Sequence, residues 1–218
     1  MEPSRKHLSF HVLDSFVRDH IQSISEELET RVKLQGLSQT LHFILLELVG
    51  NAVKANLKRV YFKKHGYSLA DPESYAKGIA EFMQAYPTIN EEEYRDSLED
   101  LDITVEITYD LNEDRLLIFV ENNVILLEEE ERRIRRQLAG SSDIKNIVEF
   151  SMAYGDETEG RGLGLAMIVL LMKDLGFDPG HFRVYNRDGR AVARVELPLS
   201  ADYTPIRDRY RTEHPDAP

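Results

Sequence analysis

Apolar residues recur at steps of three and four positions through two long segments of the chain. The first segment runs from Phe10 to about Leu34, and the second from about Gln39 to Lys64, with Gly36 between them. This spacing places the apolar side chains on one face of a helix, so the sequence predicts two amphipathic helices. We expect Ser38 to cap the second helix, and Gly66 follows its basic last turns.

The middle of the chain contains an acidic segment with signals for short helices. Asp71 precedes a proline, and Asn90 is followed by Glu93, which are residue types typical of helix starts. We therefore predict two short helices between Pro72 and Glu99, in an insertion at about residues 70–100.

The period of the pattern then changes to that of strands. Apolar and polar residues alternate from Ile103 to Tyr109, and residues 116–120 are continuously apolar, which predicts a hairpin. A second hairpin is predicted from residues 181–186 and 190–197, which flank Asp188 and Gly189. The pattern as a whole predicts an α+β fold with a sheet on one side and long helices on the other.

Two further segments are interpreted as solvent-exposed. From Glu128 to Arg136, glutamates and arginines stand four apart, which is typical of a solvated helix with ion pairs along it. The last segment, residues 201–218, is rich in proline and poor in aliphatic residues, so we expect a disordered tail.

Composition excludes several classes of protein. Lys and Arg total 27 against 39 acidic residues, giving a net charge of -12 that repels nucleic acid and anionic membranes. The chain has no cysteine and no uncharged apolar segment of membrane-spanning length. We expect a cytoplasmic protein that binds no nucleic acid and does not insert into a membrane, so that any anionic ligand must be held by a local device.

Polar residues of the second helix give the first candidate chemistry. Glu47, Asn51 and Lys54 are four and three residues apart and therefore share a face of the helix. A carboxylate, an amide and a cation directed at one place suit a binding site. The alternative is an ordinary solvated face of an amphipathic helix.

A glycine-rich stretch gives the second candidate for the chemistry of a binding site. Residues 160–171 read GRGLGLAMIVLL, in which Gly160, Gly162 and Gly164 precede an apolar helix. Backbone amides without side chains at a helix start are a usual device for binding phosphate. The stretch lacks the Gly-Lys-Ser/Thr of a P-loop, and Leu165 stands where the dinucleotide fingerprint requires glycine. A glycine turn that merely allows close helix packing is the alternative.

Taken together, these stretches resemble the GHKL superfamily, which includes histidine kinases and DNA gyrase. ELVGNAVK is similar to its N box, and EGRGLGLAMIVLLMKDLG with FRVYNRDGRAVARVELPL is similar to the second glycine box and closing strands of histidine kinases. The resemblance implies a Bergerat-type two-layer α/β sandwich, with a mixed or antiparallel sheet packed on long helices. The ATP-binding domain would span residues 37–200 with a lid at about 124–159, and residues 1–36 would be an N-terminal helix that packs on it or forms a homodimer.

The resemblance also implies roles for individual residues. Asn51 would bind Mg²⁺, Glu47 would orient or deprotonate the attacking group, and Lys54 would contact a phosphate of ATP. The phosphates would be cradled by the residues of the second glycine box, which are Gly160, Arg161, Gly162, Leu163 and Gly164. A Mg²⁺ site of one amide oxygen plus nucleotide phosphates suits the oxygen preference of this ion.

Two features depart from the family pattern. The first glycine box of the family reads Asp-x-Gly-x-Gly, and its aspartate binds adenine. This chain has Glu121-Asn122-Asn123-Val124-Ile125 there, without either glycine, so either Glu121 or Asn122 would contact the base. No histidine is followed by the acidic residue usual at a phosphoacceptor, and His20 is the nearest candidate.

These observations predict an ATP-binding, histidine-kinase-like signalling protein that uses Mg-ATP. It would either transfer phosphate from ATP to a protein partner or hydrolyse the ATP. The missing first glycine box leaves a second hypothesis open, a non-catalytic regulator of the same fold that binds a protein partner. A third is a serine kinase of the anti-sigma type, which fits the missing phosphoacceptor histidine.

Overall fold

The computed structural model describes residues 2–141 and 163–214, with only the backbone of Leu163. In these ranges the chain forms an α+β fold of two layers, a five-stranded antiparallel sheet and a layer of helices. The predicted fold class is confirmed, and the sheet is antiparallel at every strand pair.

The sheet has the strand order β1-β2-β3-β5-β4. Its strands are β1 (Ser4–Phe10), β2 (Val105–Leu111), β3 (Arg115–Asn122), β4 (Phe182–Arg187) and β5 (Arg190–Pro198). Both predicted hairpins are present, as β2 with β3 and β4 with β5. Asp188 and Gly189 have φ values of 50° and 76°, the positive pair that a two-residue hairpin turn with matching twist requires.

The described ranges contain seven α-helices and three short 3₁₀ helices. The α-helices are α1 (Ser15–Val32), α2 (Leu37–His65), α3 (Pro72–Ala85), α4 (Arg95–Asp100), α5 (Glu128–Ser141), α6 (Leu163–Asp174) and α7 (Ile206–Glu213). The 3₁₀ helices are Tyr86–Thr88, Glu91–Tyr94 and Pro179–His181. No described helix is both long and apolar enough to cross a membrane.

Helix starts were partly predicted. The Asp71 carboxylate accepts from the Ser74 N–H at 2.7 Å and caps α3 as expected. The cap predicted at Ser38 is wrong, because α2 begins at Leu37 after Gly36 in the left-handed conformation. Ser38 lies inside the first turn, where its N–H donates to the Glu29 carboxylate at 2.6 Å.

The N-terminal segment differs from its prediction. Residues 4–10 form β1, an edge strand paired with β2, and the first helix begins at Ser15 instead of Phe10. The buried residues Val17, Ile21 and Leu28 of α1 belong to the same core as α2. The segment predicted as a helix that packs or dimerises therefore packs on the rest of the chain, and dimerisation stays a prediction.

The core between the layers determines the orientation of α2, and with it the direction of the face that bears the candidate residues. Leu41, Leu45, Leu48, Val53 and Leu57 of α2 are almost fully buried. Each such side chain contributes about 2 kcal/mol of burial free energy, so rotation of α2 about its axis would be costly. This packing fixes the direction in which Glu47, Asn51 and Lys54 project.

The C-terminal segment is ordered as far as it is described, and the prediction of a tail disordered from residue 201 is wrong for residues 201–214. The Glu196 carboxylate accepts from the Tyr203 hydroxyl at 2.7 Å and from the Ile206 N–H at 2.8 Å, immediately before α7. Glu196 is fully buried, so these donors compensate its desolvation and anchor the segment. Residues 215–218 lie outside the described ranges.

Candidate functional site

The polar face of α2 forms as predicted. Glu47 and Asn51 lie one turn apart, and the Asn51 amide nitrogen donates to Glu47 Oε1 at 2.9 Å. This hydrogen bond directs the Asn51 amide group and leaves the Asn51 oxygen and Glu47 Oε2 for other partners. Two oxygens of the type that hard cations prefer are therefore close together.

Gly164, in the first turn of α6, meets this pair. A Cβ atom added to Gly164 would overlap the carboxyl group of Glu47. The missing side chain is therefore what allows the first turn of α6 to approach α2. The backbone amides of a first turn have no partner within their helix, so this junction is suited to an anion.

A cavity of about 200 Å³ opens beside the junction. Its walls come from α2 (Glu47, Leu48, Asn51, Ala52, Lys54, Ala55, Lys58), α3 (Ile79, Phe82, Met83), the sheet (Val120, Asn122, Val184, Ala191, Val192, Ala193), α5 with its preceding loop (Leu126, Glu130, Arg133, Ile134, Gln137) and α6 (Gly164, Leu165). The cavity thus combines charged and amide groups with an apolar lining, which is the usual composition of a small-molecule site. The predicted site residues Glu47, Asn51, Lys54, Asn122 and Gly164 all line it.

The two candidates for the base contact lie on opposite faces of the sheet. Asn122 is buried in the cavity wall, and its amide nitrogen donates to Ala52 O at 3.2 Å and to Asn56 Oδ1 at 3.1 Å. The Glu121 carboxylate pairs instead with Arg187 at 3.1 Å, as expected from the alternation of side chains along a strand. The structure brings Asn122 to the cavity and does not bring Glu121 there.

Lys54 projects into the cavity beside an aromatic ring. Its Nζ lies 4.7 Å from the centroid of the Tyr86 ring, within cation–π range. Burial lowers the pKa of Lys54, and the Arg133 guanidinium lowers it further, while Glu47 acts in the opposite direction. A cation with a lowered pKa is stabilised by an anionic ligand, since the ligand offsets both burial and repulsion.

A buried ionic cluster closes one side of the cavity and was missed in the sequence. The Glu130 carboxylate binds Lys58 Nζ and is 2.9 Å from Arg59 Nη2, and each of these side chains is less than a tenth exposed. Glu130 Oε2 also accepts from the Leu127 N–H at 2.8 Å, which makes it the glutamate that caps α5.

The charges of this cluster follow from its composition. Burial favours the neutral acid, but the two cations outweigh it and lower the pKa of Glu130 to about 2. Burial lowers the pKa of Lys58 to about 8; the Glu130 carboxylate opposes this shift, and the Arg59 guanidinium adds to it. Glu130 is ionised at neutral pH because two cations stabilise its carboxylate.

The rest of α5 agrees with the prediction of a solvated helix. Glu128 pairs with Arg132 at 2.9 Å and Glu131 with Arg135 at 2.7 Å, each four residues apart. Within the run of four glutamates only Glu130 is buried. Glu130 is the third residue of α5, the position from which a glutamate caps a helix start, and this position is the sequence signal that distinguishes Glu130 from its neighbours.

The described half of the predicted lid is held against the sheet. The Leu126 N–H donates to Asn186 Oδ1 at 2.8 Å, and the Asn186 amide nitrogen donates to Leu126 O at 3.1 Å. The Ala191 N–H donates to Val124 O at 3.0 Å. These bonds fix the segment between β3 and α5, where the family pattern has glycines. Lid residues 142–159 lie outside the described ranges.

Part of the predicted phosphate cradle also lies outside those ranges. Gly160, Arg161 and Gly162 are not described, and of Leu163 only the backbone at the start of α6 is described. Among the described residues no group of three or more His, Cys, Asp or Glu side chains could hold a metal ion. The predicted Mg²⁺ site at Asn51 is of a different type, one in which most ligands come from nucleotide and water.

Comparison with known proteins gives one relative. The chain is 28% identical over 163 residues to an uncharacterized protein of Treponema pallidum (strain Nichols). The match covers 74% of this chain and 31% of that protein, so the chain spans about a third of the relative's length. No family model matches the chain. No solved structure matches it either.

Proposed function

We propose that the chain binds Mg-ATP in the cavity between α2, the sheet and α6. It either transfers phosphate from the nucleotide to a signalling partner protein or hydrolyses the nucleotide. The observation that supports this most strongly is the close approach of Gly164 to Glu47. Two stretches that are distant in the sequence, the polar face of α2 and the glycine before the apolar helix, meet at one cavity.

The residues at the junction have the chemistry that the ligand requires. The Asn51 oxygen and Glu47 Oε2 are suitable for a hard cation. The absence of a side chain at Gly164 brings the first turn of α6 close to Glu47, and the backbone amides of that turn are suited to phosphate oxygens. Mg²⁺, when bound, would supply neutralisation of phosphate charge. Lys54, on the same face of α2, would add a positive charge to the site.

Glu47 is the group suited to proton transfer. Its carboxylate is oriented by Asn51 and borders the cavity, so it can accept a proton from an attacking hydroxyl group or water. Asn122 would contribute to base recognition through its side-chain oxygen, because its nitrogen is occupied by Ala52 and Asn56. Glu121 has no part in this scheme unless the nucleotide extends beyond the cavity.

The cavity volume favours a second candidate, a non-catalytic regulator with the same fold. About 200 Å³ is below the roughly 300–1,000 Å³ typical of small-molecule sites, and the bonds of Val124 and Leu126 oppose opening at that side. In this case the chain would act by binding a protein partner. A serine kinase of the anti-sigma type remains a form of the first candidate, in which a partner serine is the acceptor.

Turnover of γ-labelled ATP distinguishes the two candidates. With Mg²⁺ present, we expect release or transfer of label by the wild type, and a fall of about 100-fold or more in Glu47→Gln because the base is lost. Glu128→Gln is the matched control, since Glu128 is an exposed glutamate on a helix. Equal background turnover in all three proteins would refute the catalytic proposal and leave the regulator.

A further inference from the structure

Two arginines lie directly opposite each other on the face of the sheet away from the cavity. Arg183 of β4 and Arg194 of β5 are cross-strand partners. Their neighbours Val184 and Ala193 line the cavity, so the arginines point to the opposite face. Like charges directly opposite in a strand pair destabilise it, and this arrangement therefore needs a compensating partner.

Helix α7 brings further positive charge to the same place. Burial lowers the pKa of Arg183, and Arg207, Arg194 and Arg211 lower it further by repulsion, in that order. Arg207 Nη1 lies so near Gly180 that a Cβ there would be 2.6 Å from it. Four guanidinium groups from three elements thus converge on one region of a chain whose net charge is -12.

The carboxylates placed against this cluster do not balance it. Glu196 Oε2 lies 3.3 Å from Arg194 Nη2 and offsets one positive charge, while Glu196 Oε1 accepts from the Tyr203 hydroxyl and the Ile206 N–H. Asp178 opposes the repulsion on Arg183, and its carboxylate caps the Gly180 N–H at 2.7 Å.

Among the described residues no carboxylate lies within ion-pair distance of Arg183, Arg207 or Arg211. Four cations against two carboxylates leave two positive charges, which is the charge that a phosphate dianion neutralises.

Two donors in the cluster are buried without an acceptor. The Nε atoms of Arg194 and Arg207 are shielded from solvent and make no hydrogen bond in the described ranges. The Arg194 side chain is only 9% exposed, whereas Arg183 and Arg211 are at the surface. The cluster therefore has a buried floor and an exposed rim, and buried donors without acceptors are an exception that calls for an explanation.

We propose that Arg183, Arg194, Arg207 and Arg211 form a binding site for a phosphate dianion, carried by a phosphorylated side chain or by free inorganic phosphate. Guanidinium groups bind phosphate through paired, charge-assisted hydrogen bonds, which suits a cluster of arginines better than one of lysines. The site lies behind the sheet and is separate from the proposed nucleotide cavity. It would let the chain respond to phosphate at a place distinct from the one where nucleotide binds.

The test is a titration of the ¹⁵N-labelled chain, followed through its arginine Nε–H resonances. The probes are inorganic phosphate, a phosphoserine pentapeptide and the same peptide without phosphate. We expect saturable shifts of Arg194 and Arg207 at millimolar phosphate or below, and no shift with the unphosphorylated peptide. If the phosphopeptide binds about tenfold or more tightly than phosphate, the source is a modified protein; comparable affinities indicate free phosphate as the ligand.

Variants separate the site from general charge effects and from the cavity. Arg183→Gln and Arg211→Gln change exposed side chains and should weaken binding about tenfold each. Arg18→Gln removes an exposed arginine on α1 and should leave binding unchanged, as should Asn51→Ala, which alters the nucleotide cavity. Absence of saturable shifts at millimolar phosphate, or equal affinity in Arg183→Gln and wild type, would overturn the proposal whatever the outcome with ATP.

Discussion

Glu47 of α2 and Gly164 of α6 approach so closely that the site has no room for a side chain at position 164. The contact joins a helix near the start of the chain to one near its end, and the cavity opens beside it. Since Glu47 is also held by Asn51, the position of its carboxylate depends on two neighbours, one amide and one absent side chain.

Gly164→Ala tests this relationship. The added methyl group would displace the Glu47 carboxyl group or move α6, and overpacking of this kind costs about 1–3 kcal/mol. We expect a lower free energy of unfolding, measured in urea, and weaker Mg-ATP binding. Gly50→Ala is the control, because Gly50 lies on the same helix as Glu47 with nothing within 4 Å of its added Cβ. It should be neutral or stabilise by up to about 1 kcal/mol; a similar loss in both variants would contradict the importance of the contact.

The buried Glu130 cluster predicts how stability changes in acid. The pKa of Glu130 is lowered from 4.5 to about 2 in the folded chain, so its contribution is fully present above pH 4.5 and is lost as pH falls toward 2. A shift of this size corresponds to roughly 3 kcal/mol.

Unfolding in urea between pH 2 and 6 measures this contribution. We expect the wild type to lose more stability than Glu130→Gln as the pH falls, while Glu128→Gln, changed at an exposed ion pair, follows the wild type. Parallel curves for wild type and Glu130→Gln would show that the carboxylate is not ionised within a buried cluster.

Asn122 is held by hydrogen bonds that a carboxylate at the same position could not make. Its nitrogen donates to Ala52 O and Asn56 Oδ1, and a carboxylate there would face two acceptors without a donor. Asn122→Asp should therefore destabilise the fold by about 2 kcal/mol at neutral pH, and by less in acid, where the carboxyl group is protonated. Thermal unfolding at pH 7 and pH 4 checks this, with Glu121→Gln on the opposite face as control. An equal loss at both pH values would argue against the assigned hydrogen bonds.

Local signals predicted those parts of the fold that depend on local sequence. The Asp188-Gly189 turn, the long apolar face of α2 and the Asp71 cap were predicted because turn geometry, helical period and capping involve neighbours in the chain. Strand β1 was missed because its burial is slight except at Phe10, as an edge strand allows. Its pairing with β2 is a long-range contact that no local pattern encodes.

The same distinction applies to the candidate site. Glu47, Asn51 and Lys54 were identified because their spacing on one helix is local, and Gly164 because glycine before an apolar helix is conspicuous. The choice of Asn122 over Glu121 required the register of β3, which decides the face each side chain occupies. Glu130 was hidden among four glutamates, because its cap position depends on where α5 begins and its burial depends on the packing of α5 on Lys58 and Arg59.

The most direct test of the central proposal is a calorimetric titration of the chain with Mg-ATP. We predict saturable binding at or below millimolar nucleotide, weakened about tenfold or more in Asn51→Ala because the variant loses both the cation ligand and the group that orients Glu47. Gln22→Ala is the matched control, since Gln22 donates to Glu26 one turn away on α1 in the same kind of amide–carboxylate pair; it should bind like the wild type. No binding at millimolar Mg-ATP, or equal affinity in wild type and Asn51→Ala, would contradict the account.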